Sequence, residues 1–239
     1  MVTKVLSVGG SIIAPSEPDV AFLDGFCKMA KDWLVTNNET RLILVAGGGG
    51  PARLYQNAFK KFFERQTDQV VYGSIEDRNS ACDWLGIMAT RLNAQLLKAG
   101  FGSLCQQAVV IDPTKVTDFT GRVLVAAGWK PGFSSDNDAV LLAERFNADT
   151  VVNLSNIEKV YTDDPRTNPD ARPLDKISWA DFRKMVGDEW VPGKNVPFDP
   201  IASKKAEQLG LTVICAAGKN IANIRNILDS KEYVGTTIC

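Results

Sequence analysis

"VAGGGGPAR", residues 45–53, decides how this chain is to be read. A short apolar run, Leu42-Ile43-Leu44-Val45, ends in four consecutive glycines, and Pro51 then opens a segment of helical spacing. Glycine loses more backbone freedom on folding than any other residue, so four together after a buried strand mean that the backbone itself meets something closely. Pro51 suits the first turn of a helix, where its missing N–H has no partner to lose. The stretch therefore reads as strand, glycine turn and helix.

The same unit recurs on either side. "KVLSV" (4–8), "RLILVA" (41–46), "QAVVI" (107–111), "RVLVAA" (122–127), "DTVVNL" (149–154) and "LTVICA" (211–216) are short, β-branched and nearly continuous in apolar character. That is the pattern of strands buried on both faces. Helical spacing occupies 19–35, 51–64, 78–99, 138–146, 179–186 and 200–209. Strand–helix alternation predicts an α/β layered fold with a largely parallel sheet. Phe22, Phe26 and Trp33 fall on one stripe of the 19–35 helix and serve equally as core or as interface residues. The stretch 156–177 breaks the alternation: it is polar, carries three prolines and is too long for an idle connection.

The chain has 239 residues, enough for one sizeable core. A net charge of -1 advertises neither nucleic acid nor a basic partner. No apolar run reaches membrane-spanning length, and the start runs straight into a strand, so the cytoplasm is the expected compartment. The five cysteines, Cys27, Cys82, Cys105, Cys215 and Cys239, contain no C-x-x-C pair, which argues against a disulfide framework or a zinc site. Histidine is absent altogether. Catalytic triads, Cys–His dyads and histidine bases are thereby excluded, and any chemistry must use carboxylates, lysines, arginines, hydroxyls and backbone amides.

Three glycine turns follow strands: "VGGS" (8–11), "AGGGGPAR" (46–53) and "AGWKPGFSSDND" (127–138). In open α/β sheets such turns lie at the carboxyl ends of strands, where ligands gather. Glycine amides at a helix N-terminus can cradle a phosphate. Each turn taken alone could equally be a tight turn. None is a P-loop or a dinucleotide fingerprint.

Taken in order, "GGS" (9–11), "GGG" with Arg53 beyond it, "DWLGIMATRLNAQLL" (83–97), "GWKPGFSSDNDAVLLAE" (128–144), "NLSNIEKVYTDDP" (153–165), "FDPIASKKAEQLG" (198–210) and the closing "GTTI" make the chain resemble the amino acid kinase superfamily. Within it the resemblance is to archaeal-type uridylate (UMP) kinases. It implies a three-layer αβα sandwich spanning 1–239, with the phosphate acceptor held by about 1–148 and ATP by about 149–239. It also implies transfer of a phosphoryl group from ATP to UMP, magnesium carried with the nucleotide rather than a resident metal, and a hexamer.

Site residues follow by position. Gly10, Ser11, Gly49 and Arg53 match ATP-phosphate contacts, and Ser155, Asn156, Tyr161 and Asp164 match the adenosine site. Gly48, Asp83 and the loop Trp129, Lys130, Pro131, Gly132, Phe133, Ser134, Ser135 match the UMP site. Asp136 matches an aspartate that orients a catalytic lysine, for which Lys204 is the candidate, with Arg53 as a further cation. Read without the resemblance, Asp83 is a solvated or capping acid, Arg91 a surface or interface arginine and Tyr161 a core aromatic. Two departures stand out: Ser7 occupies the place of a lysine that many superfamily members carry, and "WKPGF" replaces the commoner "THPGH". The alternatives are another phosphotransferase of the superfamily or a non-catalytic storage or regulatory protein on the same fold.

Overall fold

Val5 pairs with Ile43 on one side and Val151 on the other, which places the first strand in the middle of the sheet. The structure, a computed structural model, describes residues 1–64, 74–189 and 196–239. β1 (Val2–Val8), β2 (Thr40–Ala46), β3 (Val123–Ala126), β4 (Thr150–Ser155) and β8 (Thr212–Ala217) run parallel. With β7 (Lys176–Ile177) and β9 (Thr236–Ile238) they form a sheet of order β3-β2-β1-β4-β8-β9-β7. β9 is antiparallel to β8. A separate two-stranded hairpin pairs β5 (Val160–Tyr161) with β6 (Pro173–Leu174) inside the long polar stretch.

Helices cover both faces. Residues alternate along each strand, so neighbours in sequence reach opposite layers. Leu6 and Val8 meet α2 (Val20–Thr36), α4 (Ile75–Phe101) and α8 (Ile221–Leu228). Val5, Ile43 and Val45 meet α5 (Ser135–Arg145), α6 (Trp179–Val186) and α7 (Pro200–Gln208). The result is the expected three-layer α/β architecture. Phe22, Phe26 and Trp33 are all buried in the first of these layers, which settles the open choice in favour of core. The Trp33 indole keeps its polar end satisfied by donating to Asp229 at 2.8 Å. α3 (Gly49–Glu64) packs on α4 and buries only Ala52.

The 107–111 run is not a strand. Only Val110 joins the sheet, in a single bridge to Ala126 beside the β3 edge. Its N–H donates to Val125 O, and its carbonyl accepts from Ala127 N–H, both at 2.9 Å. Ile111 already turns out to solvent, and the Asp112 carboxylate accepts from Thr114 N–H in a local turn that carries the chain away. An apolar run at a sheet edge needs only one covered residue, and the turn chemistry of Asp112-Pro113 then outweighs strand propensity.

Two of the four glycines receive their explanation here. A Cβ on Gly10 would stand 2.0 Å from Gly49 N, and one on Gly47 would stand 2.3 Å from Gly10 N. Gly49 has φ +67°, and its Cβ would lie 2.2 Å from Gly10 O. What the backbone meets so closely is the backbone of the other glycine turn. Close packing of one turn on the other by itself requires glycine at Gly10, Gly47 and Gly49.

Candidate active site

The parallel strands deliver their glycine turns to one end of the sheet. Gly9 follows β1, Gly47 follows β2 and Gly128 lies just past β3, while Ser155 closes β4 and Gly218 follows β8. Gly9 N–H donates to Leu154 O and Gly218 N–H to Ser155 O, both at 2.8 Å, which seats the β1, β4 and β8 ends side by side. Short helix α1 (Gly10–Ile13) follows the first turn and α3 follows the second.

A cavity of about 310 Å³ opens between these turns, α4 and the loop before α5. Of the residues matched to UMP, Gly48, Asp83, Lys130, Pro131, Gly132, Phe133, Ser134 and Ser135 line it. Gly49 and Arg53, matched to ATP, line the same cavity, so the boundary between the two expected sites runs through its wall. Trp129 does not line it. Its ring packs on Phe133 at 4.8 Å, and Lys130 Nζ lies 4.0 Å from the Trp129 ring centroid. Among the ATP-matched residues, Gly10, Ser11, Ser155, Asn156, Tyr161 and Asp164 lie outside this cavity. Gly10 and Ser11 sit in α1, Ser155 ends β4, and Tyr161 belongs to β5. The Asp164 carboxylate is held by Arg166, whose Nη2 donates at 2.8 Å and keeps its pKa down at about 2.

Asp83 is neither idle nor a cap. Its Oδ2 accepts Gly132 N–H at 3.2 Å, which links the middle of α4 to the tip of the loop. Sequence reasoning missed the residues that hold the loop and the glycines from behind. Thr90 Oγ1 accepts Gly128 N–H at 2.8 Å, and Asn93 Nδ2 donates to Gly47 O at 2.8 Å. Arg91 is half-buried and reaches inward as well; its Nη2 donates to Trp129 O at 3.1 Å. A signal was present: Thr90 and Asn93 are polar residues three apart within an apolar helical run, hence on one face.

α5 starts at the cavity, with Ser134 Oγ capping it by accepting Asn137 N–H at 3.2 Å. Two carboxylates of its first turn carry raised pKa values. Asp136 stands at about 6 because burial and neighbouring Asp199 outweigh the hydrogen bonds from Ser7 Oγ (3.0 Å) and Asp199 N–H (3.3 Å). Asp138 stands at about 7, chiefly through burial, although Trp129 N–H donates to its Oδ2 at 3.2 Å. The structure does not bring Lys204 to Asp136. Lys204 projects from α7 into solvent, close enough to Asp188 to lower that carboxylate's pKa, and forms no ion pair among the described residues. Ser7 and the α7 N-terminus occupy Asp136 instead.

Such a site can hold an anion between amides and two cations while a carboxylate meets hydroxyls. It offers no histidine base and, among the described residues, no group of three or more Asp, Glu, Cys or His able to hold a metal. No helix among them is long and apolar enough to cross a membrane.

Comparison with known proteins agrees with this geometry. The amino acid kinase family model matches residues 2–217. A uridylate kinase of Methanospirillum hungatei is 32% identical over 244 residues, covering 100% of this chain and 95% of that protein. One from Pyrococcus abyssi is 32% identical, with 98% of each covered. The crystal structure of uridylate kinase from Archaeoglobus fulgidus superposes with a TM-score of 0.80 at 29% identity, covering 100% of both chains.

Proposed function

This chain belongs to the amino acid kinase family, and from that premise we propose that it is a uridylate kinase, moving the γ-phosphoryl group of ATP to UMP to give UDP and ADP. The observation that carries the reading is the cavity wall made by Asp83 and Gly132, which assembles an acceptor site from segments 49 positions apart. Asp83 accepts hydrogen bonds from the ribose hydroxyls. The 129–135 loop encloses the uracil and the acceptor phosphate, and Gly48 offers its amide.

Phosphoryl transfer needs two phosphates in line and positive charge on the moving group, with little covalent work for the protein. We assign Gly10, Ser11 and Gly49 to the ATP phosphates and Ser155, Asn156, Tyr161 and Asp164 to adenosine. Arg53 and Lys130, at the cavity, neutralise the phosphates. Lys204, which the resemblance assigns to the transition state, faces solvent here and would swing in on its flexible four-carbon stem without Asp136 to orient it. Magnesium, which the resemblance implies, supplies charge neutralisation when bound. The donor set here fits a metal carried by the nucleotide's own phosphate oxygens. A coupled assay of ADP formation with ATP and a panel of nucleoside monophosphates tests the reading; UMP is expected to lead the panel, and activity on none of them overturns it.

The resemblance also implies a homohexamer in the cytoplasm. The face that supports association is not the 19–35 stripe. Trp84, Met88, Leu92 and Leu96, four residues apart along α4, are all exposed, as are Leu54 and Tyr55 of neighbouring α3. Water-facing apolar residues in such a row are what a second copy would cover.

A further inference from the structure

Asp138 is 1% exposed, and its Oδ1 has no hydrogen-bond partner among the described residues. Buried polar atoms are nearly always satisfied, so an orphaned carboxylate oxygen behind a binding loop asks for a reason. Its other oxygen accepts Trp129 N–H at 3.2 Å. The carbonyl of the same Trp129 accepts from Arg91, and the preceding Gly128 N–H is taken by Thr90. Trp129 is thus gripped through both backbone groups, by α4 on one side and by α5 on the other. One residue further, Lys130 enters the cavity, and Gly132 reaches Asp83.

We propose that Asp138 is the positioning residue of the acceptor loop, setting the fit of the monophosphate by holding the Trp129 backbone from behind while touching no substrate itself. The proposal rests on the uridylate kinase reading of the cavity. Asp138 titrates at about 7, so the grip is adjustable: the carboxylate form accepts a charge-assisted hydrogen bond, and the neutral acid a weaker one. The charged groups bearing on it are Asp136 on α5, Asp112 from the segment before β3, and Arg91 on α4 across the Trp129 peptide. The two acids favour the protonated form.

The test compares wild type with Asp138→Asn, a permanent mimic of the neutral acid, across pH 6 to 8. Michaelis constants are measured for UMP and for ATP. The expected ratio of UMP constants, variant over wild type, is near one at low pH and rises about three- to tenfold at high pH, with the ATP constant and turnover unmoved. Ionisation of the UMP phosphate is common to both proteins and cancels in the ratio. A flat ratio, or equal movement in the ATP constant, overturns the proposal. Hydrogen exchange at the Trp129 amide gives a readout without substrate: Asp138→Ala should exchange faster than wild type at the same pH. Should no monophosphate be phosphorylated, the uridylate kinase reading fails, and unchanged exchange at Trp129 then decides against Asp138 as well.

Discussion

The Ser7 hydroxyl donates to Asp136 Oδ1 at 3.0 Å, tying the end of β1 to the first turn of α5 where many superfamily members place a lysine. A lysine there would set its ammonium against the same carboxylate. Ser7→Lys is therefore expected to pull the Asp136 pKa down from about 6 and to keep or raise turnover. Single-turnover rates at saturating ATP and UMP check this; a slower variant would mean that the buried serine site cannot accept the longer chain.

Asp83→Asn should weaken UMP far more than ATP. The amide oxygen can still accept Gly132 N–H, so the loop stays in place while the charge proposed to face the ribose is lost. A charge-assisted bond contributes roughly 1.5–3 kcal/mol, about a ten- to hundredfold rise in the UMP Michaelis constant. Equal rises for both substrates would move Asp83 out of the acceptor site.

The glycines separate into two kinds. Gly49→Ala forces a side chain onto φ +67° and into Gly10 O, so it should lower the unfolding midpoint and cost at least about 1–3 kcal/mol. Gly48→Ala meets Ala52 Cβ at 2.7 Å and Gly86 O at 3.2 Å without a positive φ, so it should keep more stability while losing activity. Thermal melts beside UMP titrations distinguish the pair, and identical melts would contradict the packing account of Gly49.

Lys204→Ala is expected to reduce turnover about a hundred- to a thousandfold, the usual loss when a cation aimed at a transition state is removed. Stability should hardly change, because the exposed side chain forms no ion pair among the described residues. Wild-type turnover in this variant would transfer the role to Lys130 or Arg53.

Stability should fall as pH rises from about 4 to 7. Asp136 and Asp138 have folded pKa values of about 6 and 7 against the usual 3.8, so the folded state binds protons that the unfolded chain releases first. That contribution is complete below the unfolded value and is lost as pH climbs through the folded ones, at about 1.4 kcal/mol for each tenfold difference in proton affinity. Melting temperatures of wild type and Asp138→Asn should converge at the acid end and separate at neutral pH, with the variant the more stable there. A wild type that grows more stable over this range would show the two acids to be charged throughout.

The parallel strands were legible because burial on both faces leaves an unbroken apolar run, as in Leu42–Val45. The 107–111 run carried the same signature yet pairs only at Val110, since apolar character reports burial and not the number of strand neighbours. β5, β6, β7 and β9 escaped notice because two or three residues give no period. The residues matched by position to an acceptor site do gather round one cavity, which Asp83 and 130–135 line together. The supports behind them were not legible. Asp138 looks like any acid in a first helical turn, and only the tertiary packing of α5 takes it out of water.

The middle place of β1 in the sheet has a consequence for how the molecule comes into being. Val5 finds Ile43 after a loop of moderate length, but its other neighbour, Val151, is 146 positions away in the chain. Closing contacts at that separation is slow, because loop entropy is lost before packing compensates for it. On the ribosome, β1 and β2 can associate early while one flank of β1 waits for β4 to emerge. That flank is an apolar edge able to recruit another nascent chain. Yield during synthesis should thus depend on how quickly the segment through β4 follows, and slowing translation between residues 46 and 150 should favour aggregation even though the finished protein is unchanged.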